Sequence, residues 1–153
     1  MRESYERAIE DLKRVDHLYH VSLKYTRTVD VIRSVIERII STYENAIDAL
    51  LKCMKEEKEI EELPSNPVGK AELAKEKCGS EEFCKYIDTY LKLRRILRME
   101  YTKREEFRRH VTMTVSFEGE TLNIDIDKLK EYYDETKALI MHVKSRVQAY
   151  KEE

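Results

Sequence analysis

Tryptophan is absent from this chain, and two prolines, three glycines, three cysteines and one glutamine (Gln148) are all that its 153 residues contain of those types. So few helix breakers exclude a loop-rich or low-complexity chain and leave room for long helices. Cys53, Cys78 and Cys84 make an odd count without CxxC spacing, which argues against a zinc site. A Cys78–Cys84 bridge stays open, with buried free thiols the simpler expectation. No apolar run approaches the roughly 20 residues of a membrane span, and Met1-Arg2-Glu3-Ser4 begins no signal peptide. A soluble, cytoplasmic protein with no membrane partner is therefore expected. A large charge of one sign is missing too. The net charge of −2 excludes general coating of DNA.

Charge itself is plentiful, at 39% of residues, and unevenly placed. Lys92 to His110 holds eight Lys/Arg against three Glu, whereas Lys55 to Glu62 holds two Lys against five Glu. One basic stripe on a near-neutral chain fits a localised anionic ligand. Heavy use of Glu, Lys and Arg with scarce amides also resembles a heat-adapted, thermophile composition.

The apolar spacing predicts four long helices in one domain spanning 1–153. Tyr5, Ala8, Leu12, Val15 and Tyr19 form a stripe over about Arg2 to Lys24. Tyr25-Thr26-Arg27-Thr28 reads as a break, with Thr28 the N-cap of a second helix from Val29 to about Ile60. That helix carries more apolar surface than one stripe, so it is expected at the bundle centre or partly in a subunit interface. Leu63 to Gly69 is the clearest linker, and Ala71 to Lys77 a short helical turn. Ser80 then caps a third long helix expected to run to about Arg109. From Val111 the period becomes two: Val111, Met113, Val115 and Phe117 alternate with Thr112, Thr114 and Ser116. After Glu118-Gly119, Leu122, Ile124 and Ile126 alternate again, which predicts a β-hairpin. Asp127 is expected to cap the last helix, Lys128 to Lys151. The fold class is thus all-α: an antiparallel four-helix, up-down bundle with a short β-hairpin between the third and fourth long helices.

Most polar clusters have an ordinary explanation. His17 and His20 sit beside Asp16 with no matching second pair to complete a metal site, so polar-face histidines are expected. His142, past the middle of the last helix, is expected to be structural. Gly69-Lys70 lacks the earlier glycine and following hydroxyl of a phosphate loop. No cofactor and no metal are expected.

The stretch with chemical promise is Lys103-Arg104-Glu105-Glu106-Phe107-Arg108-Arg109-His110. Arginine grips phosphate through a bidentate fork, and histidine moves protons near neutral pH. Together they could cleave RNA without a metal, the cations stabilising the phosphorane. Arg94, Arg95, Arg98, Arg108 and Arg109 are the candidate nucleic-acid contacts, and Arg104 and His110 the candidate catalytic pair. The plain alternative is a helix C-terminus carrying cations because the macrodipole favours them. On a regular helix six steps of about 100° leave Arg104 and His110 about 120° apart, so they converge only if the helix ends early or two subunits combine.

Arg104…His110, with five residues between them, resembles the Arg-x4-6-His motif of the HEPN superfamily, and the helical layout is similar over most of the chain. The resemblance implies a metal-independent endoribonuclease acting as a homodimer in a toxin–antitoxin or defence setting. It implies that Arg104 binds phosphate, that His110 does acid/base chemistry, and that RNA and a cognate nucleotidyltransferase-like antitoxin are partners. The other reading is a non-catalytic helical dimer that binds RNA, a nucleotide or a protein.

Overall fold

The computed structural model describes the backbone of residues 1–152 and the side chains of 1–149. The fold is mostly helical, with one small antiparallel sheet. In chain order it comprises α1 (Arg2–His17), a π-helical turn (Leu18–Ser22), α2 (Leu23–Tyr25), α3 (Val29–Glu56), α4 (Pro67–Cys78), α5 (Glu81–Leu97), β1 (Tyr101–Arg104), β2 (Thr112–Phe117), β3 (Glu120–Ile124) and α6 (Ile126–Glu152). No helix among the described residues is long and apolar enough to cross a membrane.

Helix α3 is the axis of the molecule. Its isoleucines and leucines, with Val29, Val35, Tyr43 and Met54, are buried around more than one face, and α1, α4, α5 and α6 of the same chain all pack against it. The apolar surplus read from the sequence is thus covered by the chain's own helices. Thr28 caps it as expected, its hydroxyl accepting the Val31 N–H at 3.3 Å. The helix stops at Glu56 rather than near Ile60, because Lys58 turns into the left-handed region at φ 63°. The linker lies earlier than expected, at residues 57–66. Asn66 caps α4 through the Gly69 N–H, and Pro67 takes the first helical position, where its missing N–H costs nothing. The expected short turn is therefore a 12-residue helix, closed by Gly79 at φ 69°.

The third long helix does not reach Arg109. Helix α5 begins on its Ser80 cap as expected but ends at Leu97. The guanidinium of Arg33 on α3 donates to the Leu97 carbonyl at 3.1 Å and lies 4.4 Å from the Tyr101 ring centroid. That single side chain satisfies an end-of-helix carbonyl and docks the first residue of β1. Residues 101–104, expected to be helical, pair with β2 in the register Tyr101↔Val115 to Arg104↔Thr112. The hairpin is therefore the second half of a three-stranded sheet, ordered β1-β2-β3. Its alternation matches expectation: Met113, Val115 and Ile124 are buried, while Thr102, Ser116, Thr121 and Asn123 lie exposed on the other face. Glu118 (φ 53°) and Gly119 (φ 82°) form the turn, both in the left-handed conformation that matches the strand twist.

The last helix also starts differently. Asp125, not Asp127, caps it, accepting the Lys128 N–H at 2.8 Å, and Ile126 begins the helix instead of ending a strand.

Candidate active site

Three connections meet at one end of the sheet: the α2–α3 corner, the β1–β2 loop and the β3–α6 junction. The loop is anchored to the corner twice. The Phe107 N–H donates to the Arg27 carbonyl at 2.6 Å, and the Glu106 carboxylate accepts the Val29 N–H at 3.2 Å. That carboxylate adds a second cap, and a favourable negative charge, to the N-terminus of α3. Lys103 lies 3.6 Å from Asp30 in the same first turn. Within the loop the Arg108 N–H bonds the Glu105 carbonyl and the Val111 N–H bonds the Arg108 carbonyl. Thr112 holds the His110 carbonyl at 2.8 Å.

These anchors shape a cleft of about 290 Å³ lined by Arg27, Arg109, His110, Asp125, Ile126 and Asp127. It gathers two guanidiniums, an imidazole and two carboxylates. Asp125 is committed to the α6 cap, whereas Asp127 is exposed. The Nε of Arg27 is buried and has no hydrogen-bond partner, a cost that a bound acceptor would relieve. Cations for phosphate, an imidazole for proton transfer and a carboxylate as second proton carrier are the groups that RNA transesterification needs.

The sequence-derived site residues divide between places. His110 and Arg109 line the cleft, and Arg108 is exposed beside them on the loop. Arg104 is on β1, where it donates to Asn123 Oδ1 at 3.0 Å, an atom that also accepts from Thr114 at 2.8 Å. It does not line the cleft. Arg98 is exposed at the end of α5. Arg94 pairs with Glu44 at 3.4 Å and Arg95 with Glu118 at 3.0 Å, with the Arg95 guanidinium 4.6 Å from the Phe117 centroid. Because α5 stops at Leu97, its C-terminal dipole acts on Arg94 and Arg95 and not on His110.

Three polar lining residues escaped the sequence reading as site members: Arg27, Asp125 and Asp127. Arg27 stood in a helix break, Asp127 read as a helix cap, and Asp125 fell within the expected alternating strand. No spacing rule links them, because the cleft is assembled from segments distant in sequence.

Other clusters are internally satisfied. His20 pairs with Asp16 at 3.1 Å, and Tyr133 also donates to Asp16. That Tyr133 bond is the main cause holding the Asp16 carboxyl below its ordinary range, with His20 adding to it. His142 sits 3.5 Å from the Cys78 sulfur and against Phe83, and burial lowers its pKa, with Arg146 reinforcing the shift. All three cysteines are free thiols, and no group of three or more His, Cys, Asp or Glu among the described residues is placed to hold a metal. A larger, open groove of about 880 Å³ runs along α1, but its buried Asp11 already accepts from Ser41 and Asn45 and faces Arg38 at 3.6 Å. It lacks a histidine. The smaller cleft is the better chemical candidate.

Comparison with protein-family models, curated proteins and solved structures found no match to this chain.

Proposed function

We propose that this protein is a metal-independent endoribonuclease with the His110 cleft as its active site. The observation that carries the reading is the convergence of His110, Arg27, Arg109 and the uncommitted Asp127 on one cleft. In the proposed reaction the Asp127 carboxylate takes the proton of an RNA 2′-hydroxyl. The oxygen attacks the adjacent phosphorus, and His110 gives a proton to the departing 5′-oxygen. Arg27 and Arg109 stabilise the charge that builds on the phosphoryl oxygens. The products are a 2′,3′-cyclic phosphate and a free 5′-hydroxyl, so atoms and protons balance without a cofactor.

The HEPN resemblance supports the same chemistry, and with it the four long helices α1, α3, α5 and α6 as an antiparallel up-down bundle. It also supports a homodimer, through which Arg104 of a second copy would join His110, and a cytoplasmic toxin–antitoxin or defence role with a nucleotidyltransferase-like antitoxin. The position of Arg104 favours a second reading. Arg104 is bonded to Asn123 outside the cleft, so the motif's arginine and histidine do not share a pocket within one chain. A non-catalytic helical protein binding RNA, a nucleotide or a protein partner is the reading that fits that arrangement.

RNA cleavage in the presence of EDTA separates the two. His110→Ala should lower the rate by roughly two to four orders of magnitude, the range for a positioned acid or base. Asp127→Asn should lower it as well, whereas Arg104→Ala matters only if a second copy supplies that residue. Light scattering on the same samples reads the assembly state. Wild type that cuts no RNA, or His110→Ala protein that cuts as fast, would remove the nuclease reading.

A further inference from the structure

Two strongly exposed aromatic rings stand on the segments that build this cleft, although neither lines it. Tyr25 is 83% exposed and Phe107 is 77% exposed. Both are tied to Arg27, whose buried Nε is unpartnered: Tyr25 precedes it by two residues, and the Phe107 N–H is bonded to its carbonyl. The loop holds Phe107 outward at some cost, since Phe107 (φ 65°) and Glu105 (φ 57°) both occupy the left-handed region. Side chains with a Cβ seldom adopt it. The Glu106–Val29 and Phe107–Arg27 bonds hold the backbone there. Tyr25 and Phe107 are thus within one to three residues along the chain of Arg27, Arg108, Arg109 and His110, and the cleft these segments help to form carries the carboxylates of Asp125 and Asp127.

We infer that Phe107 and Tyr25 are a stacking platform for unpaired bases, so that the cleft takes single-stranded RNA in preference to duplex. The inference rests on the proposed RNA site and names the form of RNA that fits it. Flat rings beside guanidiniums match a ligand that alternates flat bases with phosphates. Every base has a π-face, which makes such platforms tolerant of sequence but not of pairing. The carboxylates would accept hydrogen bonds from base or ribose donors.

The test uses full-length protein and a 2′-O-methyl oligonucleotide, which lacks the attacking hydroxyl and so separates binding from cleavage. Phe107→Ala and Tyr25→Ala should each weaken binding of the unpaired oligonucleotide roughly five- to hundredfold, the cost of one lost base stack. Phe107→Trp should keep wild-type affinity or tighten it. Inorganic polyphosphate, which has charge but no bases, should bind all variants equally, and duplex of the same sequence should bind more weakly than single strand. Circular dichroism checks the fold of each variant. Unchanged affinity in both alanine variants overturns the platform while leaving the nuclease reading standing. Ring-dependent binding by a wild type that cuts nothing keeps the platform and removes the nuclease. If Phe107→Ala turns a dimer into a monomer, the ring belongs to a subunit contact and the platform is wrong. If wild type binds neither ligand, both readings fall.

Discussion

The arginines offer a direct test, because the structure separates those that are spent from those that are available. Arg94 and Arg95 stand in the basic stripe, yet each faces a carboxylate: Glu44 at 3.4 Å and Glu118 at 3.0 Å. A phosphate approaching either would first have to displace that partner. Arg108 and Arg109 are exposed on the loop, away from those carboxylates. Replacing both by Gln should therefore remove two counterion-releasing contacts. At about 0.7 per contact on a single strand, the slope of log affinity against log salt should flatten by about 1.4. Between about 50 mM and about 200 mM salt the wild type should then lose roughly sevenfold more affinity than the variant. Arg94→Gln with Arg95→Gln should leave the slope near wild type, although it costs stability by leaving the half-buried Glu44 unpaired. Fluorescence anisotropy with an unstructured oligonucleotide across a salt series measures both slopes. If the Arg94/Arg95 variant flattens while the Arg108/Arg109 variant does not, anion binding runs along α5 and the cleft is not its centre.

Two further expectations concern the scaffold. Burial pushes the Asp48 carboxyl up, but bonds from Lys52, Ser4 and Lys70 outweigh it and place its pKa at about 2, below the ordinary 3.8. A depressed carboxyl stabilises above its unfolded pKa, and that stability is lost as pH falls from about 4 toward 2. After allowance for solvent screening the contribution is about 1–2 kcal/mol, and Asp48→Asn should remove it from the acid limb of a denaturation curve. Asp125→Ala should lower thermal stability by about 1 kcal/mol through loss of the α6 cap, while Asp127→Ala should leave stability within about 0.5 kcal/mol; calorimetry distinguishes the two.

Helix positions were legible where a local rule governs them. Thr28 and Ser80 announced their helices by capping chemistry, and the period-two run from Val111 announced a strand. The end of α5 was not legible. Residues 98–109 are rich in Lys, Arg and Glu, good helix formers that mask the stop. At that end Arg33, a side chain from α3, holds Leu97 and Tyr101, and residues 101–104 pair with β2; neither contact has a local signature. The same holds for the cleft. His110 and Arg109 stood out because arginine and histidine cluster there, whereas Arg27 and Asp127 join them only through tertiary docking. Asp125 and Asp127 are two residues apart, and nothing in their sequence tells which will cap and which will stay exposed.

The π-helical turn at Leu18–Ser22 gives the first helical segment a residue of slack. Such a turn absorbs one extra residue without changing the faces presented on either side. Loss of one residue within it would leave an ordinary α-helical turn, with Leu23 still in the core and Tyr25 still turned to solvent. Loss of one residue within Arg2–His17 has no such buffer. It would rotate the N-terminal side of the helix by about 100° relative to the C-terminal side, taking Ala8 off α3 and turning charged neighbours inward. Length variation in this part of the chain is thus tolerated at one place and forbidden beside it, and the tolerant place lies immediately before the corner that carries Tyr25 and Arg27.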